Sequence, residues 1–447
     1  MYGEIIRAYP FFESKNKTPF SLEAAEERNT LMKESNVVSL ENPEQSFDHV
    51  FDEIVRNGAR KMLQEAIQIE VDLFIQKKTS ERTLEGHQKI VRNGYQPARE
   101  ILSGAGKLKI RQPRLRYRED PSEKFTSSIL PRYMRRSPSL DALIPALYLR
   151  GVSSGNFSGA LEAILGRKVK GMSSNTVVRL KEKWAKEYGQ WGHRDLSNKQ
   201  YIYWWADGIH FNVRLEEQRT CILVVIGVLE DGTKELVAVA DGYRESTESW
   251  LELLRNLKSQ GLSEGPQLAV GDGALGFWAA IKDIYPQVRP QRCWVHKTAN
   301  VLDKMPKSIQ PNAKSLIHEI YLSPTCEKAQ KALDYFLNRY QSKYPKACEC
   351  LKKDQQSLLN FYDFPAEHWP HLRTTNPIES TFATVRLRTA RTKGCGSRRA
   401  TLTMVFKLAQ EAQKTWRRLK GSNRIAQVIA GVKFIDGIEE TKTEIAA

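Results

Sequence analysis

The chain has 447 residues, 40% of them hydrophobic, which excludes a broadly disordered protein and leaves room for several domains with a sizeable core. Its formal net charge is +17 and its pI about 9.5. A protein this basic excludes few folds but points to a polyanionic partner, most often nucleic acid.

The start, MYGEIIRAYPFFESKNK, lacks the basic-then-apolar order of a secretory signal, and residues 1–45 read as a loose polar arm. From Gln45 the apolar spacing is helical, through Phe47, Val50, Phe51, Ile54, Met62, Leu63, Ile67, Val71 and Phe74. Residues 77–136 carry a net charge of +10. Within them KLKIRQPRLRYRED alternates basic with apolar residues or Pro, as a short strand or extended arm with one charged face does. Residues 46–136 are thus a basic helical and extended region.

Residues 137–195 have the pattern of a helix-turn-helix. SLDALIPALYLRG, interrupted by Pro145, is the first helix, FSGALEAILG the second, and SSNTVVRLKEKWAKEY the third. Gly166 suits a helix C-cap and Ser173 or Ser174 the next N-cap. In such a motif the last helix enters the major groove. Asn175, Thr176 and Arg179 are then the candidate base contacts, with Lys181, Lys183 and Lys186 nearer phosphates. The competing reading is three packed helices with a solvated basic face.

From residue 201 the texture changes. YIYWWAD reads as a buried strand ending at Asp207; TCILVVIGVLE and KELVAVAD are two more, joined by an Asp231-Gly232 hairpin turn. SWLELLRNLKSQG is an amphipathic helix, QLAVGD a fourth strand, LGFWAAIKDIYP a helix, and WVHKTANVLDKM another after the short run VRPQRC. Three antiparallel strands followed by alternating helix and strand is the order of an RNase H-like α/β fold. Residues 305–370 then read as helices only, an all-α insertion before TTNPIESTFATVRLRTARTKG restarts a helix. ATLTMVFKLAQEAQKTWRRLK is the last helix, before an uninformative tail from 421 to 447. The chain holds no run of 18 apolar residues, so no membrane partner is expected. Its six scattered cysteines lack a paired CxxC, which argues against a disulfide framework and fits a reducing, cytoplasmic setting.

Phosphodiester cleavage needs an activated nucleophile and a stabilised leaving oxygen, roles that divalent ions held by a few carboxylates supply. Asp207 ends the first strand of this fold and Asp272 the fourth, its neighbour in an RNase H-like sheet. Glu379 opens the helix after the insertion. Each has a bland account. Asp-Gly pairs are common in turns, and Asp241 also ends a strand and competes with Asp207. Asn376, Pro377 and Glu379 make an N-cap, N1 and N3 capping box. Cys293 and His296, three apart on a helix, suggest half a zinc site or a buried Cys with a hydrogen-bonded His; no second ligand pair is suitably spaced.

ADGIHFNVR, VGDGALGFWAAIKDIYPQVRPQRCWVHK and TTNPIESTFATVRLRT together resemble motifs of the Mutator-type transposases of bacterial insertion sequences. The resemblance runs from about residue 50 to 420, more loosely in RNGYQPAREILSGAGKLKIRQPRLR. It implies an Asp-Asp-Glu active site in which Asp207, Asp272 and Glu379 bind Mg²⁺, or Mn²⁺ as the alternative, within a catalytic domain of residues 200–304 and 371–420. It also implies that His296 stands near that site and positions DNA rather than binding metal. Arg386 lies seven residues after Glu379, on the same helix face, and residues 386–420 carry a net charge of +10. Arg386, Arg388 and Arg391 are therefore expected on DNA phosphates. The resulting expectation is a transposase acting on double-stranded element ends and target DNA as a homo-oligomer. Its N-terminal half is expected to bind the ends by itself. The rivals are an RNase H-like structure-specific nuclease and a non-catalytic DNA-binding protein descended from a transposase.

Overall fold

Runs of consecutive apolar residues build the central sheet, because both of its faces are covered. A computed structural model describes residues 45–118, 125–152, 159–161, 163, 174–211, 220–242, 244–391 and 397–440. It is a mixed α/β structure, about half helical, and divides into two units. One comprises residues 1–100 with 108–132, the other 101–107 with 133–447. The expected arm at 1–45 lies outside the described residues, apart from Gln45.

In the first unit the helical spacing produces α1 (Gln45–Lys77), followed by β1 (Ile90–Tyr95). The run read as one strand or arm is two, β3 (Gly106–Ile110) and β4 (Pro113–Tyr117), after β2 (Arg99–Ser103). β4 pairs antiparallel with β1. Glu70 of α1 accepts from the Ser128 N–H at 2.6 Å, and Phe74 packs on Phe125 with ring centroids 4.9 Å apart.

Besides the end of β2 and the start of β3, the second unit contains α2 (Pro138–Leu149), which continues through Pro145, and α3 (Ser174–Trp191). Ile144 of α2 and Val177 of α3 are buried in one cluster. Most of the expected middle helix lies outside the described residues.

β5 (Tyr201–Phe211), β6 (Thr220–Leu229) and β7 (Lys234–Gly242) are antiparallel. Gly232 turns the β6–β7 hairpin with φ +82°, a conformation glycine adopts without strain. α4 (Thr247–Ser259), β8 (Leu268–Gly271), α5 (Leu275–Ile284), β9 (Arg289–Arg292) and α6 (Trp294–Leu302) follow. β8 runs parallel to β5 and β9 parallel to β8, giving the spatial order β7-β6-β5-β8-β9. The run VRPQRC, read only as a short connection, supplies β9. Its polar residues sit at the sheet's edge, so it lacks the apolar signature of the inner strands.

Side chains alternate between the faces. Trp204 points into the layer with Trp250, Leu254 and Phe277 of α4 and α5; Trp205 points into the layer with Trp294, Phe382 and Phe406. Trp204, Trp205, Trp250 and Trp294 are all at most 1% exposed. Burial of an aromatic side chain contributes at most about 4–6 kcal/mol of transfer free energy, so these four anchor both layers.

The insertion is helical as expected: α7 (Gln310–Leu322), α8 (Cys326–Tyr340), α9 (Pro345–Lys352), α10 (Gln355–Leu359) and α11 (Trp369–Leu372). α12 (Asn376–Arg391) and α13 (Arg398–Gln413) return to the sheet, and α13 ends sooner than the pattern suggested. The segment read as an uninformative tail has defined structure within its described residues. It forms α14 (Ile425–Ile429) and a hairpin of β10 (Phe434–Ile435) and β11 (Ile438–Glu439), with Ile425 and Phe434 buried in the main core.

Candidate active site

The C-terminal ends of β5, β7, β8 and β9 share one edge of the sheet, since β5 and β7 both oppose β6 and the other two run with β5. Parallel pairing of β5 with β8 ends at Ala206 and Gly271, so Asp207 and Asp272 are the next residue on each strand. β5 itself does not end at Asp207, as its sequence suggested. It continues to Phe211 because β6 keeps pairing with it. Asp207 is therefore held inside a strand, with its Oδ1 accepting from the Gly208 N–H at 2.9 Å.

Asp207 is 8% exposed. Burial, reinforced by the charge of Asp272, pushes its carboxyl up to about 7. The Asp272 loop is fixed at several points. Its Oδ1 accepts from the Ala274 N–H at 2.8 Å, and its carbonyl accepts from Trp278 Nε1 at 3.0 Å and from the Arg292 guanidinium. Arg292 also meets Asp354 at 3.2 Å, and the same carboxylate binds Lys297, which is 3% exposed. A buried ion cluster thus ties the insertion to the Asp272 loop.

Glu379 arrives on α12. The helix starts a residue earlier than the alternative capping-box account has it: the Glu379 N–H donates to the Thr375 carbonyl at 3.0 Å. Its carboxylate is directed instead to His296, with Oε1 3.3 Å from Nε2. The ligand-type atoms of Asp207, His296 and Glu379 all lie within 4.8 Å of one another. Cys293 is buried beneath them and accepts from the Thr375 N–H at 3.3 Å and hydroxyl at 3.4 Å. Burial lowers the His296 pKa, but the hydrogen bond and charge of Cys293, then Asp207 and Glu379, outweigh it and raise His296 to about 9. The Cys-x-x-His element thus joins α6 to the start of α12.

Asp241, the competitor of Asp207, lies on β7 and is engaged by Arg398 through two hydrogen bonds of 2.9 and 3.1 Å. β7 is separated from β8 by two strands. Glu245, just after β7, was missed by the motif reading. Burial, then Asp272 and Asp207, raise its carboxyl to about 8. Its signal was positional: a carboxylate in the turn after a strand whose end shares the acidic edge.

The expected nucleic-acid contacts separate into different environments. Arg386 is exposed and lies over the Phe382 ring at 5.9 Å. Arg388, by contrast, is 4% exposed, with its guanidinium 4.6 Å from the Tyr148 ring centre, because its helix face packs inward. Thr176 is partly buried and Arg179 exposed on α3. The side chains of Asn175 and Arg391 lie outside the described residues.

Fold and site together define an α/β protein whose carboxylates gather at the C-terminal edge of a mixed sheet. The chain belongs to the Mutator family of transposases, whose model matches residues 30–419. It is 50% identical over 307 residues to the transposase for insertion sequence element IS6120 of Mycolicibacterium smegmatis, covering 68% of this chain and 94% of that one. It is also 50% identical over 291 residues to the transposase for IST2 of Acidithiobacillus ferrooxidans, covering 64% and 96% respectively. The transposase for IS256 in transposon Tn4001 of Staphylococcus aureus is 29% identical, with 76% of this chain and 85% of the relative covered.

Proposed function

We propose that this chain is the transposase of an insertion sequence element, and that it cleaves and joins DNA at Asp207, Asp272 and Glu379. The carrying observation is the placement of Asp207 and Asp272 at adjacent register positions of parallel strands, with Glu379 brought to Asp207 by a separate helix. The strand order and directions support an RNase H-like fold for the catalytic region.

The donor set fits Mg²⁺ or Mn²⁺: three carboxylates offer hard oxygen ligands, and after burial the largest influence on the Asp207 carboxyl is another acid, Asp272. Bound divalent ions would acidify a nucleophilic water and stabilise the developing charge on phosphate and leaving oxygens. The protein's own part is geometric. The two strands hold Asp207 and Asp272, Arg292 and Trp278 restrain the Asp272 backbone, and α12 presents Glu379. His296 faces the same cleft and orients the scissile phosphate. Arg386, one face along α12, grips a neighbouring phosphate through its planar fork.

End recognition is assigned to the helix-turn-helix reading of residues 137–195. Val177 is buried against α2, while Arg179 is exposed; Asn175, Thr176 and Arg179 would meet base edges. A homo-oligomer on DNA is supported by exposed apolar residues along α1, including Phe51, Ile54, Met62 and Leu73. The deciding experiment incubates purified protein with DNA carrying the element's ends and Mg²⁺. Strand-specific nicking at the ends, absent with EDTA, is expected; binding without cleavage under all divalent ions supports the non-catalytic rival instead.

A further inference from the structure

Three side chains unused by the proposed chemistry converge on the opposite face of the sheet from Asp207. His210 and Cys221 are directly opposed in the antiparallel β5–β6 pair, so their side chains share one face. Alternation along β5 puts His210 on the face of Trp204 and Ala206, whereas Asp207 shares that of Trp205 and Ile209.

Glu245 reaches them from the β7–α4 turn, and two backbone features bring it there. Arg244 has φ +62°, a left-handed conformation that a non-glycine residue adopts only when its surroundings enforce it. Gly208 provides the space, for a Cβ there would lie 2.1 Å from Glu245 Oε1. A nitrogen, a sulfur and an oxygen then lie within 4.8 Å of one another, with His210 Nε2 3.4 Å from Glu245 Oε1. Cys221 is fully buried, Glu245 partly buried, and the His210 side chain 43% exposed, so the cluster opens toward solvent on one side.

This donor set differs in kind from the three carboxylates. A thiolate with an imidazole suits zinc and other soft or borderline first-row ions, not Mg²⁺. Tetrahedral zinc with ligand bonds of about 2.0–2.3 Å separates its ligands by roughly 3.3–3.8 Å, a spacing these side chains reach with small adjustments. We propose that His210, Cys221 and Glu245 form a zinc-binding site, separate from the Asp207–Glu379 cluster, that pins the β7–α4 turn to the β5–β6 ladder. Zinc takes three protein ligands there and a water in the fourth position; binding releases the Cys221 thiol proton.

The test uses the untagged, metal-free full-length chain in excess Mg²⁺, titrated with Co²⁺ as the spectroscopic substitute for zinc. The wild type is expected to develop thiolate-to-cobalt absorption that saturates at one equivalent and is displaced by Zn²⁺. Cys221→Ser should abolish the band. His210→Ala and Glu245→Gln should weaken cobalt affinity at least about tenfold, the smallest loss typical of even an outer-sphere partner. Asp207→Asn should leave the band intact. No band in the wild type, or an unchanged band in Cys221→Ser, overturns the assignment. If Cys221→Ser does not fold, the half-exposed His210→Ala decides: wild-type affinity there overturns the site. Loss of the band in Asp207→Asn overturns its separateness.

Discussion

At the residue scale, burial and charge distinguish groups that share a motif. Asp207 and Asp241 both end apolar runs before glycine, yet Asp241 is neutralised by Arg398 while Asp207 faces Asp272. Asp207→Asn is therefore expected to reduce end cleavage at least about 100-fold, the scale of a lost charged group at a reacting centre. Its melting temperature without divalent ions should not fall, because the change removes a buried charge beside a like one. Asp241→Asn should keep cleavage within a few-fold of wild type and cost no more than about 1 kcal/mol, as a partly exposed ion pair does. Wild-type cleavage by Asp207→Asn in a gel assay would remove it from the site. The two arginines diverge likewise. Arg386→Ala should lower the slope of log affinity against log salt by about one, the signature of a lost phosphate contact. Arg388→Ala should leave that slope unchanged and cost about 2 kcal/mol through its desolvated aromatic contact, seen as a fall of about 4–8 °C in melting temperature. A salt slope altered by Arg388→Ala and not by Arg386→Ala would reverse these assignments.

At the element scale, legibility followed the strength of the local pattern. The runs YIYWWAD and TCILVVIGVL announced central strands because both faces of the sheet are covered, and the Asp231-Gly232 turn announced the hairpin that joins the second of them to β7. β9 was illegible as a strand because Arg-Pro-Gln-Arg becomes extended only by pairing with β8 and by what its residues meet in space. Gln291 donates to the Leu358 carbonyl at 3.0 Å and Arg292 meets Asp354. Such contacts span more than sixty residues of chain and leave no periodic trace. For the same reason the motifs named Asp272 but not the support beneath it. Asp354→Ala would strand Lys297 and Arg292 without their carboxylate, and breaking a buried pair from one side costs about 3–5 kcal/mol. Its melting temperature should fall on the order of 10 °C, whereas Asp354→Asn combined with Lys297→Met should recover part of that loss. Calorimetry showing Asp354→Ala within about 2 °C of wild type would mean that the cluster is not what holds the insertion to β9.

At the scale of the whole molecule, α3, which the sequence reading places in an N-terminal DNA-binding half, packs directly on the central sheet and on α13. Tyr188 donates to the Val239 carbonyl at 2.8 Å, and the rings of Tyr188 and Trp191 lie 5.3 and 4.9 Å from that of Phe406 on α13. Lys407 of α13 is paired with Glu187. After α3, Arg194 stacks on Trp191 at 3.8 Å and donates to the Val237 carbonyl at 2.6 Å. A helix held by aromatic packing, an ion pair and bonds to β7 transmits its position directly to the sheet. The composition change near residue 201 marks where the sheet begins, while α3, before it, already packs on that sheet. Truncation at that change should therefore be costly. A fragment spanning residues 199–440 bares the surface covered by Tyr188 and Trp191, and losing one such aromatic from a core typically costs about 3–5 kcal/mol. It is expected to melt at least about 10 °C below a fragment spanning 133–440 and to bind a dye for exposed apolar surface. The longer fragment should unfold in a single transition when tryptophan fluorescence and far-ultraviolet circular dichroism are followed together. Equal melting temperatures for the two fragments would show that α3 is an appended module. Two separate transitions in the longer one would show that it folds apart from the sheet.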